Sequence, residues 1–126
     1  KAQDYDAFYE QEIAYRKIML YPPVWNMLVI LCASKSEEAA DAMAAELAAA
    51  ADAYTGKNTK EKVYLVGPVD AAIAKVNDIY KKIIYLKAES YDTLVKIKNR
   101  TEVYARESRY YKNVTVMFDF NPVNGF

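Results

Sequence analysis

Two consecutive prolines, Pro22 and Pro23, follow Tyr21 and constrain this chain more than any other feature. Proline has no N–H and a fixed φ, so a pair of them stops a helix. They also push Tyr21 toward extended geometry. The stretch before them has helical spacing, and the stretch after them, Val24 to Cys32, is almost wholly apolar. Two regions are therefore expected: a lead-in helix over residues 1–22 and one compact domain over 23–126. The lead-in opens at Lys1 without Met and reads as the end of something longer.

Asp4 to Leu20 predicts a helix that Asp4 can cap, with acidic residues early and Arg16 and Lys17 in the last turn. Tyr5, Phe8, Tyr9, Ile13, Arg16 and Leu20 recur at three- and four-residue spacing. That face is aromatic and needs a neighbour. Val24 to Ala33 predicts a strand with apolar residues on both sides of the pleat, hence a central strand covered on both faces. Ser34 and Glu37 have capping-box spacing. They open an alanine-rich helix to about Tyr54, with Met43, Leu47 and Tyr54 on its buried stripe and Gly56 as its stop.

Val63 to Val66 predicts a second strand closed by Gly67-Pro68, and 70–79 a connection without period. Tyr80 to Ala88 predicts a third strand, with Lys82, Ile84 and Leu86 on one side and Ile83, Tyr85 and Lys87 on the other. Ser90 caps a second helix to about Ser108 that turns Leu94, Ile97, Thr101, Tyr104 and Ala105 inward. Val114 to Phe120 alternates strictly, and Asn121-Pro122 ends it. The order after the lead-in is β-α-β-β-α-β. Right-handed crossovers then give an α+β, ferredoxin-like fold, a four-stranded antiparallel sheet with two helices on one face.

Chemistry is limited by what is missing. There is no histidine, so the commonest metal ligand and the neutral-pH proton switch are absent. The single cysteine, Cys32, lies in the apolar run and reads as a buried small hydrophobe, compatible with a reducing cytoplasm. No G-x-x-x-x-G-K-[ST] or G-x-G-x-x-G cradle occurs. The longest apolar run is far short of the ~20 residues that span a bilayer. This chain is therefore expected to bind rather than catalyse, without a metal or cofactor of its own.

Charge supports binding. Residues 1–54 hold 4 basic and 9 acidic side chains, whereas 55–112 hold 13 basic and 7 acidic. The basic half is either an ordinary solvated face or a surface that meets phosphates or acidic peptides. Twelve tyrosines suit half-exposed faces that await a partner.

Three segments carry a resemblance. They are Phe8-Tyr9-Glu10 running to Tyr21-Pro22-Pro23, Gly67-Pro68 with Lys75, Asp78 and Tyr80 running into Lys87, and Asp119-Phe120-Asn121-Pro122. In order and spacing the chain resembles, over 4–124, the C-terminal domain of the primosomal replication-restart helicases. The resemblance implies a ferredoxin-like accessory domain of a bacterial ATP-dependent DNA helicase. ATP, magnesium and zinc would be bound by the rest of that protein. The lead-in helix would be the exit from its second helicase lobe. Implied partners are forked or branched DNA, the acidic C-terminal tail of single-stranded DNA-binding protein, and the helicase core. Lys75, Tyr80, Lys81, Lys82 and Lys87 are the candidate nucleic-acid-binding residues. Each also has a structural reading, the lysines as solvated charges and Tyr80 as a core ring. Two other readings share the element order: an RNA-recognition motif, whose third-strand aromatic signature is missing here, and a regulatory or oligomerising domain.

Overall fold

The computed structural model describes residues 2–20, 25–58, 61–71 and 78–122. Tyr21-Pro22-Pro23 lies outside them. Helix α1 covers Ala2–Met19 and strand β1 covers Asn26–Ser34. Then follow α2 (Glu37–Asn58), β2 (Val63–Asp70), β3 (Tyr80–Ala88), α3 (Tyr91–Glu107), a 3-10 turn at Tyr111–Asn113 and β4 (Thr115–Phe120). All strand pairs are antiparallel, in the order β2-β3-β1-β4. Each helix α2 and α3 carries the chain over an intervening strand, which is the ferredoxin-like arrangement.

β1 is central and apolar on both sides, as its sequence requires. Leu28, Ile30 and Cys32 face α2 and α3, where they join Met43, Leu47, Ile84, Leu86, Leu94 and Ile97 in the larger core. Val114, Val116, Phe118 and Phe120 close that core along β4. Met27, Val29 and Leu31 point the other way, into a second core with Ile83, Tyr85 and Ala71. Helix α1 supplies the cover there through Ala14, Ile18 and the edge-on ring of Tyr15 against Tyr85.

That cover uses a different face of α1 from the predicted one. Tyr9, Ile13, Arg16 and Leu20 are exposed, while Gln11, Ala14 and Ile18 are buried. Both sets have helical spacing. The small Ala14 lets the helix approach the sheet, and Gln11 disguises the inward stripe as polar.

Other expectations shift by small amounts with clear causes. Ser36, not Ser34, caps α2: its hydroxyl accepts from the Ala39 amide at 3.1 Å. Ser34 instead donates to the Asn113 carbonyl at 2.6 Å and accepts from the Ser36 amide. Gly56 does not stop α2, which runs to Asn58. Gly67-Pro68 does not close β2 either. The strand continues to Asp70 past a register shift between Val66 and Val69. Gly67 has φ +111°, and a Cβ there would lie 2.7 Å from the Ile83 carbonyl oxygen, so only glycine fits this bulge. Tyr104 is exposed rather than inward, while Leu94, Ile97, Thr101 and Ala105 are buried as predicted. Ser90 caps α3.

β4 ends where Asn121-Pro122 was expected to end it. Asn121 adopts φ 49° and clamps the start of β1. Its Oδ1 accepts from the Met27 amide at 2.8 Å, and its own amide donates to the Met27 carbonyl at 2.8 Å.

Candidate nucleic-acid interface

β3 carries four of the five candidate residues, and its pleat separates them. Tyr80 and Lys82 fall on the side of α2 and α3, and Lys81 and Lys87 on the side of α1. Lys75 lies outside the described residues.

Lys82 is half-buried and held by two carboxylates. Its Nζ is 2.7 Å from Asp41 Oδ1 on α2 and pairs with Asp70 at the end of β2. Burial is the largest single influence and opposes the charge, but hydrogen bonds and attraction from Asp41 and Asp70 together raise its pKa. This ammonium ties three elements together and is not free for a phosphate. Asp70 is held in turn at its amide, which donates to Glu10 Oε1 of α1 at 3.2 Å.

Lys87 is buried under α1, with 2% of its surface exposed. Its Nζ donates to the Ile18 carbonyl at 3.3 Å, among the last carbonyls of the helix, where a cation is favoured. Burial lowers its pKa. As placed, it reaches no ligand in solution.

Tyr80 and Lys81 remain, both half-buried at the start of β3. Register places Tyr80 opposite Ser34, and Lys81 opposite Ala33, which in turn faces Thr115. They therefore share one end of the sheet with the loop after β1 and the start of β4. The 3-10 turn joins them there, since Ser34 bonds Asn113.

Sequence reasoning looked to β3 for exposed cations and overlooked α3. Among the described cations of 55–112, those exposed are Lys62, Lys96, Arg100, Arg106, Arg109 and Lys112. Five of these six lie between Lys96 and Lys112, a span with 6 basic and 2 acidic side chains. Rings accompany them, exposed at Tyr104 and half-buried at Tyr110. Arg100 lies 5.7 Å from the centre of Tyr104, and Arg109 lies 5.3 Å from that of Tyr110. The signal was readable as a run of Lys and Arg interleaved with Tyr at helical spacing.

Cys32 is buried and its thiol is pushed up to about 12 by burial. Among the described residues, no three His, Cys, Asp or Glu side chains are grouped to hold a metal. No described helix is long and apolar enough to cross a membrane.

The family model for the primosomal protein N C-terminal domain matches residues 17–123. The chain belongs to this family. It is 29% identical over 123 residues to the replication restart protein PriA of Bacillus subtilis, covering 97% of this chain and 15% of that protein. To PriA of Borreliella burgdorferi it is 30% identical over 121 residues, covering 95% and 17%. The chain thus spans about one sixth of the length of these relatives. Among solved structures it is similar to a de novo designed protein, Foldit4, with TM-score 0.54 and 11% identity over 79% of this chain and 99% of that one. It is also similar to a putative aminohydrolase from methicillin resistant Staphylococcus aureus, with TM-score 0.51 and 11% identity over 77% and 30%. At that identity the two likenesses concern the fold alone.

Proposed function

We propose that this chain is the non-catalytic accessory domain of a cytoplasmic, ATP-dependent replication-restart DNA helicase. In that setting it helps bind forked DNA and the acidic tail of single-stranded DNA-binding protein. Residues 1–22 would lead in from the helicase core, and 23–126 would form the accessory body. ATP, magnesium and zinc would belong to the rest of the protein.

One observation carries the reading. In a chain whose relatives are named as replication restart proteins, five of the nine exposed cations among the described residues lie on α3 and the stretch after it, up to Lys112. Tyr80 and Lys81 remain candidate contacts at the start of β3, and Lys75, outside the described residues, remains a candidate as well. Lys82 and Lys87 are better described as structural. The RNA-recognition-motif reading loses ground because such a module stacks bases on an open sheet face. Here that face carries Val29, Leu31, Ile83 and Tyr85 buried beneath α1.

The test is a titration of the chain against forked DNA at low and raised salt. Binding should weaken steeply with salt, because released counterions drive it. No binding at low salt rejects the DNA role.

A further inference from the structure

A groove of about 470 Å³ opens between α3, the 3-10 turn and β4. Glu102, Arg106, Tyr111, Lys112, Thr115 and Phe118 are among its lining residues. We infer that this groove seats one unpaired nucleotide of a single-stranded nucleic acid, its base on Tyr111 and its phosphate between Arg106 and Lys112. The inference rests on the DNA-binding reading above and gives it a location that β3 does not.

The groove is the right size, since small-ligand sites run from roughly 300 to 1,000 Å³. β4 pairs with β1 along one side only and forms the end of the sheet, so the groove is open along its length. The carboxylate in it is already engaged. Glu102 is bonded to Lys98 at 2.9 Å and lies 3.5 Å from Arg106. Its pKa is lowered chiefly by the hydrogen bond from Lys98, so it stays ionised and holds Arg106 in place. Lys98 also lies 5.5 Å from the centre of the Phe118 ring, fixing that wall.

Tyr111 is 46% exposed, and its backbone is held firmly. Its amide donates to the Ser108 carbonyl at 3.1 Å, and the Asn113 amide donates to the Tyr110 carbonyl at 2.9 Å. An exposed ring on a bonded turn, flanked by two cations, suits sequence-tolerant stacking with phosphate contacts. The neighbouring groove beyond Tyr110 is lined by Glu37, Glu38 and Asp41 and would repel the same strand.

The experiment measures fluorescence anisotropy of labelled oligothymidine and of an abasic strand of equal length. The proteins are the intact chain, Tyr111→Leu, Tyr111→Phe, the double variant Arg106→Gln/Lys112→Gln, and Lys81→Gln. The intact chain should bind oligothymidine more tightly than the abasic strand. Tyr111→Leu should weaken oligothymidine about ten-fold and leave the abasic strand unchanged, while Tyr111→Phe retains binding. The double variant should weaken both strands about ten-fold and flatten the salt slope by roughly 0.7, the value for one phosphate contact on a single strand. Equal affinity of the intact chain for both strands overturns the stacking role. Wild-type affinity in the groove variants, with or without a loss in Lys81→Gln, overturns the groove and leaves the domain's DNA role standing. Failure of the intact chain to bind either strand rejects both.

Discussion

Lys82 and Lys87 stand five positions apart on β3 and on opposite faces of the sheet, and the two faces treat a buried cation in opposite ways. On the α2–α3 side, Lys82 lies at the margin of a hydrocarbon core and is met by two aspartates. On the α1 side, Lys87 lies wholly inside, with Gln11, Tyr15, Tyr64 and Tyr85 nearby on the same face, and its ammonium reaches a helix carbonyl. The first face is packed by aliphatic side chains from two long helices. The second is covered by one helix through a small stripe of apolar and polar groups. The difference teaches that the α2–α3 face is the body of the fold and the α1 face is an attached cover.

Truncation separates them most strongly. Ile84→Ala, in the aliphatic core, should cost about 4 kcal/mol, because two packed helices cannot collapse onto the cavity. Ile18→Ala should cost nearer 2 kcal/mol, since α1 can shift toward the sheet. Urea unfolding of both variants measures this, and equal losses would erase the distinction. Gly67→Ala comes next, at about 2 kcal/mol, because both its φ and the Ile83 carbonyl oppose a side chain. Its loss should appear wholly in stability, without changing the helical circular dichroism of the folded protein.

The two lysines sharpen the contrast through pH. Burial lowers the folded pKa of Lys87 below 10.5. Between that lowered value and 10.5 the unfolded chain holds more protons, so this residue makes stability rise with pH. The folded pKa of Lys82 is raised above 10.5. Its contribution is complete below 10.5 and is lost as pH rises through the folded value. Lys87→Met should therefore stabilise the protein at neutral pH, on the order of 1 kcal/mol, and remove the rising component. Lys82→Met should destabilise it and remove the falling one. Urea midpoints followed from about pH 8 to about pH 11 test both signs. The same slope in both variants would refute the assignment.

The smallest perturbation leaves the protein intact. The Cys32 thiol, pushed up to about 12 and buried in the larger core, should ignore a disulfide-exchange reagent in the folded protein. It should react only as fast as the body unfolds. Faster labelling would mean that the α2–α3 face opens on its own.

The reach of the sequence follows the same division. β1 and β4 could be read because their packed side chains are apolar, on both sides of the pleat in β1 and in strict alternation from Val114 to Phe120. The α1 face could not be read correctly. Gln11 and Lys87 are polar letters in buried places, and Tyr9 and Ile13 are apolar ones in exposed places. Gly67-Pro68 read as a stop because these residues usually punctuate, whereas a bulge uses the same conformational freedom to keep a strand going. On the site, the sequence offered Lys75, Tyr80, Lys81, Lys82 and Lys87 without distinguishing them. It had no means of knowing that Asp41 and Asp70, distant in the chain, converge on Lys82. The Arg106–Tyr111–Lys112 groove escaped notice because the run that holds these residues was read only as part of a basic half, and nothing within it shows that β4 forms the opposite wall.

The Asn121 clamp bears on how the chain is made. Its side-chain amide donates to Asn26, 95 positions earlier, so the first strand is completed by residues synthesised long after it. On the ribosome, Met27 to Cys32 emerges before either of its partner strands and, once β3 has docked, still presents a bare, greasy edge until β4 arrives. A nascent chain stalled before Thr115 would thus be a sticky intermediate, and a holding chaperone should favour it over the finished product.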